Sequence, residues 1–212
     1  MLSSSSKAVF SAGLDLTEMY KPDPERLSAF WSAFQQVYID LYGSRLACIA
    51  AIEGHAPAAG CMLSLACDYR IMSATEGKHR PTTGLNETQF GIVAPPWLAE
   101  MMVSTVGHRE AEKALALGTL FSPDVALRIK LVDEVVPKQE VLARAEQEAV
   151  EWAKVPPQAR VASKMLMRQK QIQHLLNTRQ EDIDSFVGFV TSDRIQGALG
   201  MYLESLKQKA RA

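Results

Sequence analysis

Leu46-Ala47-Cys48-Ile49-Ala50-Ala51-Ile52-Glu53-Gly54-His55-Ala56-Pro57-Ala58-Ala59-Gly60-Cys61 is the stretch on which the fold turns. Leu46 to Ile52 is apolar without a break, which suits a short strand covered on both faces, as in parallel sheets. Ala58 to Ala66 is small and apolar on every side. That composition suits a buried helix whose backbone approaches a neighbour closely. Asp68 to Met72 reads as the next strand. Strand, helix and strand in this order predict an α/β layer structure with parallel pairing.

Upstream, Val9 and Phe10 read as the end of a strand that Gly13 breaks. Asp23-Pro24 is a helix start, an N-cap acid followed by proline at the first helical position. The helix is expected to run to about Tyr42, with Leu27, Phe30, Trp31, Phe34, Val37, Tyr38 and Leu41 on one stripe and Gly43 ending it. Downstream, 73–83 is polar and reads as a loop, and 89–93 as a short strand. Pro95-Pro96 precedes a helix that Gly107 closes. A second helix spans Arg109 to Leu117, and Ser122-Pro123 opens a third to about Lys130. Leu131 to Val136 reads as a strand with its acids exposed. Beyond Pro137 four helices are expected, near 138–154, 157–175, 179–191 and 192–210. The division is thus an α/β core over 1–136 and a helical C-terminal region of the same domain over 137–212.

The 212 residues suit one domain, with a 47% hydrophobic and 22% charged share typical of globular chains. A net charge of −1 argues against a general nucleic-acid binder, which carries a basic excess. A few local Lys or Arg residues would still serve an anionic small molecule. The three cysteines, Cys48, Cys61 and Cys67, fit free thiols in a reducing compartment, and their spacing matches no zinc pattern. No apolar run approaches the ~20 residues of a membrane span. Met1 to Ser6 resembles neither a secretion signal nor a transit peptide. It leads within a few residues into a site-like segment, so the beginning of the domain is expected to be missing.

Three segments carry candidate chemistry. Ser11-Ala12-Gly13-Leu14 follows a strand end, and Gly13 permits a turn that aims the next N–H into a cleft. Alone, it fits an ordinary strand–helix loop better. Gly54 to Gly60 opens a helix, whose first N–H groups lack internal partners and sit at the positive end of its dipole. A carbonyl oxygen that becomes negative is stabilised there, though close helix–strand packing also demands small residues. Gly84-Leu85-Asn86-Glu87-Thr88-Gln89 sets one carboxylate between Leu85 and Phe90. Poor solvation would raise the proton affinity of Glu87 and suit it to act as a general base. A solvated loop glutamate is the alternative.

Taken together, these segments resemble the crotonase, or enoyl-CoA hydratase/isomerase, superfamily, and within it the mitochondrial Δ3,Δ2-enoyl-CoA isomerase branch. The likeness rests on Val9 to Met19, Cys67-Asp68-Tyr69-Arg70-Ile71 and Gly84 to Gln89. Gly107-His108-Arg109, Val132 to Pro137 and Met201-Tyr202-Leu203-Glu204 also fit it. The resemblance implies a spiral of ββα units with a helical C-terminal region used in trimerisation. It implies an oxyanion hole from the N–H groups of Leu14 and Ala59, and Glu87 as the proton shuttle. Ala12, Gly13, Asp15, Leu16 and Asn86 would contact the acyl-CoA substrate. Ala59 departs from the family's usual glycine. Met62 stands where hydratases carry a second glutamate, which favours double-bond isomerisation in β-oxidation over hydration.

The resemblance further implies a homotrimer in the mitochondrial matrix with no metal and no cofactor, coenzyme A being part of the substrate. The competing expectation is a truncated, non-catalytic subunit or acyl-CoA-binding scaffold. Lys7 could meet a CoA phosphate. Arg160, Lys164, Arg168 and Lys170 form either a solvated helix face or a phosphate contact. Phe186 and Phe189 read as core or subunit contacts in a region that can close over the acyl chain.

Overall fold

The computed structural model describes residues 1–6 and 8–211, with backbone only at 207 and 209–211. Lys7 therefore lies outside the described residues. In chain order the elements are α1 (Pro24–Tyr42), β1 (Ile49–Ile52), β2 (Ala56–Pro57), α2 (Ala59–Ala66), β3 (Tyr69–Ser73), β4 (Thr83–Gly84), α3 (Pro96–Val106), α4 (His108–Leu117), α5 (Pro123–Arg128), β5 (Glu134–Val136), α6 (Val141–Ala153), α7 (Pro157–Val190) and α8 (Asp193–Arg211).

The sheet is parallel in the order β1-β3-β5. Ile49 pairs with Tyr69 and Ile52 with Met72, while Ile71 pairs with Glu134. All of β1 is buried, but it takes only Ile49–Ile52 of the apolar run expected as one strand: Leu46 stands before it, 71% exposed. The opening residues flank β1: the Leu2 N–H donates to the Ile49 carbonyl at 2.8 Å and the Ala51 N–H to the Leu2 carbonyl at 2.9 Å. A second, two-stranded parallel sheet pairs β2 with β4, matching Ala56 to Thr83 and Pro57 to Gly84. These strands are too short to leave a periodic signature in the sequence.

α1 begins as expected, with the Asp23 side chain accepting from the Arg26 N–H. Its buried face differs in detail: Val37 is 43% exposed, whereas Gln35 is fully buried. Burying an amide is tolerable only when it is bonded. The Gln35 Nε2 donates to the Arg179 carbonyl at 3.2 Å and to Asp182 at 2.7 Å.

Three expectations fail. The strand expected at 89–93 is instead a 3₁₀ turn, Glu87–Phe90, ended by Gly91 in the left-handed region at φ 73°. The Gly91 and Ile92 N–H groups turn back to the Thr88 and Glu87 carbonyls, which curls the chain away from a strand. The break expected near 175–179 does not occur, since α7 runs unbroken through it. Asn177 and Thr178 are bonded along the helix, to Gln173 and to the His174 carbonyl, so they do not compete with it. The basic stretch does not act as one solvated face or phosphate contact: Lys170 is exposed, but Lys164 and Arg168 turn inward. Lys164 Nζ lies 2.8 Å and Arg168 3.1 Å from the Asp68 carboxylate, with the Lys164 and Asp68 side chains only 6% and 3% exposed.

β5 starts three residues later than expected, at Glu134. Leu131 and Val132 are buried before it, and Asp133, exposed as expected, also pairs with the buried Arg70 at 2.8 Å. The main core gathers α1, α2, α3 and α7 residues around Trp31, Tyr38, Met62 and Trp97. A separate cluster joins Met19 and Leu27 to Val190, Ile195 and Leu199, and so brings α8 over the segment that carries Leu14.

Candidate active site

The segment at 8–13 runs beside the start of α2. Phe10 N–H donates to the His55 carbonyl at 2.8 Å, and His55 N–H to the Ala8 carbonyl at 3.0 Å. The approach is so close that a Cβ on Gly60 would stand 2.4 Å from the Ser11 carbonyl oxygen. Gly13 has φ +99°, and its Cβ position lies 3.6 Å from the Ala59 nitrogen. The sequence thus needs glycine at both positions to bring the two N–H segments together.

Ala58 caps α2 with φ 50° and ψ −123°, a conformation that is strained for a residue with a Cβ. It is held there by its N–H, which donates to the Gly84 carbonyl at 2.8 Å. Ala59 is the first residue of α2. Among the described residues, neither its N–H nor that of Leu14 finds an acceptor.

Gly84 is also the root of the third segment. A Cβ there would collide with the Thr119 carbonyl, at 2.2 Å. Leu85 and Asn86 are buried, and the Glu87 turn follows. That turn is gripped from α4 and the loop after it. Thr88 Oγ1 donates to the Leu115 carbonyl at 2.6 Å, and Gln89 Nε2 to the Gly118 carbonyl at 2.7 Å.

These segments meet in one cavity of about 880 Å³. Ala12, Leu14, Asp15, Leu16, Ala59, Asn86 and Glu87 all line it; of the expected oxyanion, base and acyl-CoA contact residues, only Gly13 does not. Glu87 as a residue is half-buried, but its Oε2 is out of contact with solvent and has no partner within the protein, as is the Oδ1 of Asn86. Native folds rarely leave such atoms unsatisfied. Burial pushes the Glu87 carboxyl up to about 7. Asp15, the other carboxylate of the lining, is held below its usual range by the Thr17 hydroxyl and N–H. Two acids of similar intrinsic strength are therefore driven apart by their surroundings. Met62, one turn into α2, is fully buried in the core and offers no second proton-transfer group.

The sequence reading missed most of the apolar wall. Trp31 and Phe34 from α1, and Met201, Tyr202, Leu203 and Leu206 from α8, complete the lining. Phe186 lines it too, whereas Phe189 packs in the cluster of Val190. Phe90 meets Tyr202 edge to face, with ring centroids 4.8 Å apart. An apolar stripe along α8 is visible in the sequence, but nothing in it says which surface that stripe covers.

The profile described as enoyl-CoA hydratase/isomerase matches residues 1–211. The chain is 46% identical over 209 residues to mouse mitochondrial enoyl-CoA delta isomerase 1, covering 99% of this chain and 71% of that protein. To the human counterpart it is 44% identical, covering 99% and 68%. The solved structure of human mitochondrial delta3-delta2-enoyl-CoA isomerase superposes with a TM-score of 0.94 at 43% identity, covering 98% of this chain and 79% of that one. An enoyl-CoA hydratase from Bacillus halodurans shares the fold, at TM-score 0.79 and 23% identity.

Proposed function

The chain belongs to the enoyl-CoA hydratase/isomerase family and has the crotonase fold, and from that premise we propose that it is a Δ3,Δ2-enoyl-CoA isomerase acting in the β-oxidation of unsaturated fatty acids. One observation carries the reading: the Glu87 carboxyl, with its Oε2 buried and unpartnered, shares an apolar cavity with the N–H groups of Leu14 and Ala59, which find no acceptor among the described residues.

In this reading the thioester oxygen of a 3-enoyl-CoA accepts from both N–H groups. Glu87 takes a proton from C2, and the electron pair moves into a dienolate whose charge rests on that oxygen. The same carboxyl then returns the proton at C4, which leaves the double bond between C2 and C3. No water, metal or cofactor enters the balance. A carboxyl near neutrality suits both halves of the step, since it accepts and releases a proton with little energetic bias. Donors fixed before the charge develops need no reorganisation; removing one in comparable sites costs about 3–4 kcal/mol. An apolar lining supports the same reading, because it keeps water from the dienolate.

Asn86 would contact the acyl group beside Glu87, and Ala12, Gly13, Asp15 and Leu16 would line the path of coenzyme A. The relatives named above are mitochondrial, which supports a matrix location. A homotrimer using the helical C-terminal region fits the family. No described helix is long and apolar enough to cross a membrane.

The test is conversion of 3-hexenoyl-CoA followed spectrophotometrically. Glu87→Gln should abolish turnover while leaving affinity nearly intact, since the base acts in the chemical step. A Glu87→Gln variant within tenfold of the parent would remove Glu87 from its role. A folded parent that binds acyl-CoA without turnover would favour a non-catalytic scaffold.

A further inference from the structure

Asp182, on α7, does not line the cavity, yet it organises one wall of it. A single carboxylate oxygen, Oδ2, accepts from Trp31 Nε1 at 2.7 Å, Gln35 Nε2 at 2.7 Å and Trp97 Nε1 at 3.3 Å. The Gln35 amide is oriented for this by its own Oε1, which accepts from Arg179 Nε at 3.0 Å. Among the described residues Asp182 forms no ion pair. Its charge is met by neutral N–H dipoles from α1 and α3.

One helical turn further along α7, Phe186 stacks flat on the Trp31 indole, with centroids 3.6 Å apart and planes at 8°. Both rings line the cavity, and Trp31 is only 4% exposed. The indole is thus pinned twice, by its N–H to Asp182 and by its face to Phe186. Without the acceptor its N–H would be buried and unpaired, a state that folds avoid. The ring would then turn to find another partner, and the stack would open.

We propose that Asp182 is a positioning residue that sets acyl-chain-length selectivity, by fixing the Trp31–Phe186 pair as an unyielding wall of the acyl cavity. The proposal rests on the acyl-CoA reading of the site. A rigid wall accepts methylenes up to a fixed length, each improving affinity by about fourfold, and excludes the rest.

The test combines two measurements on the parent, Asp182→Ala and Asp182→Asn. Binding of saturated acyl-CoAs from butanoyl to hexadecanoyl is measured by titration calorimetry. KM and kcat are measured with 3-hexenoyl-CoA and 3-dodecenoyl-CoA. In the parent, affinity should rise with length and then stop. Asp182→Ala should move that stop outward by at least two carbons. It should also raise KM for 3-hexenoyl-CoA about fivefold while changing kcat less than threefold. Asp182→Asn, which keeps an acceptor oxygen, should restore the parent profile.

A folded Asp182→Ala protein with an unmoved stop, or with affinity lost equally at every length, overturns the proposal. If Asp182→Ala does not fold, Phe186→Leu removes the other half of the wall without stranding a buried N–H, and an unmoved stop there overturns it equally. Binding of saturated thioesters by a parent that isomerises no 3-enoyl-CoA defeats the isomerase reading and leaves the wall standing. Absence of all acyl-CoA binding defeats both.

Discussion

Ala58 donates its N–H to the Gly84 carbonyl at 2.8 Å, and this bond makes two distant parts of the site one unit. Ala58 immediately precedes the N–H of Ala59. Gly84 lies three residues before Glu87 on a chain with little freedom between. Base and oxyanion donor are therefore set by the β2–β4 pairing, not by flexible loops. Sites built on such paired backbone hold their geometry more closely than sites on free loops.

The Glu87 carboxyl, raised to about 7, dictates a pH profile. The ionised base is needed, so kcat/KM should fall tenfold per unit below pH ~7 and level above it. A midpoint near the usual glutamate value of 4.5 would refute the burial argument.

The same shift affects stability. The folded state holds this proton more tightly than the unfolded chain, so Glu87 lowers stability as pH rises from 4.5 towards 7, by at most about 3 kcal/mol. Glu87→Gln, which cannot ionise, should therefore unfold at a higher temperature than the parent at pH 8 and show little difference at pH 4. Calorimetry at the two pH values checks both signs.

Gly60→Ala places a Cβ 2.4 Å from the Ser11 carbonyl oxygen. The backbone carrying Leu14 must shift, and a misplaced oxyanion donor should lower kcat by about 10²-fold. Acyl-CoA affinity should change much less. A variant with parental kcat would show that the close approach has no bearing on rate.

Asp68 accepts from Lys164 and Arg168 and from the Cys48 N–H at 2.8 Å. Asp68→Ala leaves the buried Lys164 ammonium and the largely buried Arg168 guanidinium with carbonyl acceptors only, and breaking such a pair costs about 3–5 kcal/mol. Urea unfolding should show that loss with an unchanged slope. A loss under 1 kcal/mol would mean that the cations reach water in the variant.

Gln196 ties α8 to the segment before α1. Its Nε2 donates to the Met19 and Val190 carbonyls at 2.9 and 2.8 Å, and its Oε1 accepts from the Lys21 N–H at 2.7 Å. Gln196→Leu should cost about 1–3 kcal/mol and speed amide exchange along α8 first. Exchange no faster than in α1 would show that apolar contacts alone seat α8.

Much of this was legible in the sequence because strong local signals agreed with the final packing. The Asp23-Pro24 cap, the Gly43 stop and the Ile49–Ile52 part of the apolar run all act within a few residues of themselves. The 3₁₀ turn at Glu87 was misread as leading into a strand because Phe90 to Val93 is apolar, while the deciding factor was the left-handed Gly91. The continuity of α7 was hidden because Asn177 and Thr178 are poor helix formers in isolation, and contacts with α1 override them. The role of Asp182 could not be read at all, since its donors lie some 85 to 151 positions away.

The aromatic cluster also turns the protein into its own optical probe. Of its three tryptophans, Trp31 and Trp97 share the Asp182 carboxylate, and only Trp31 faces the cavity. An occupant touching that indole would change the colour and yield of its emission, so filling of the site should be visible in the unlabelled chain.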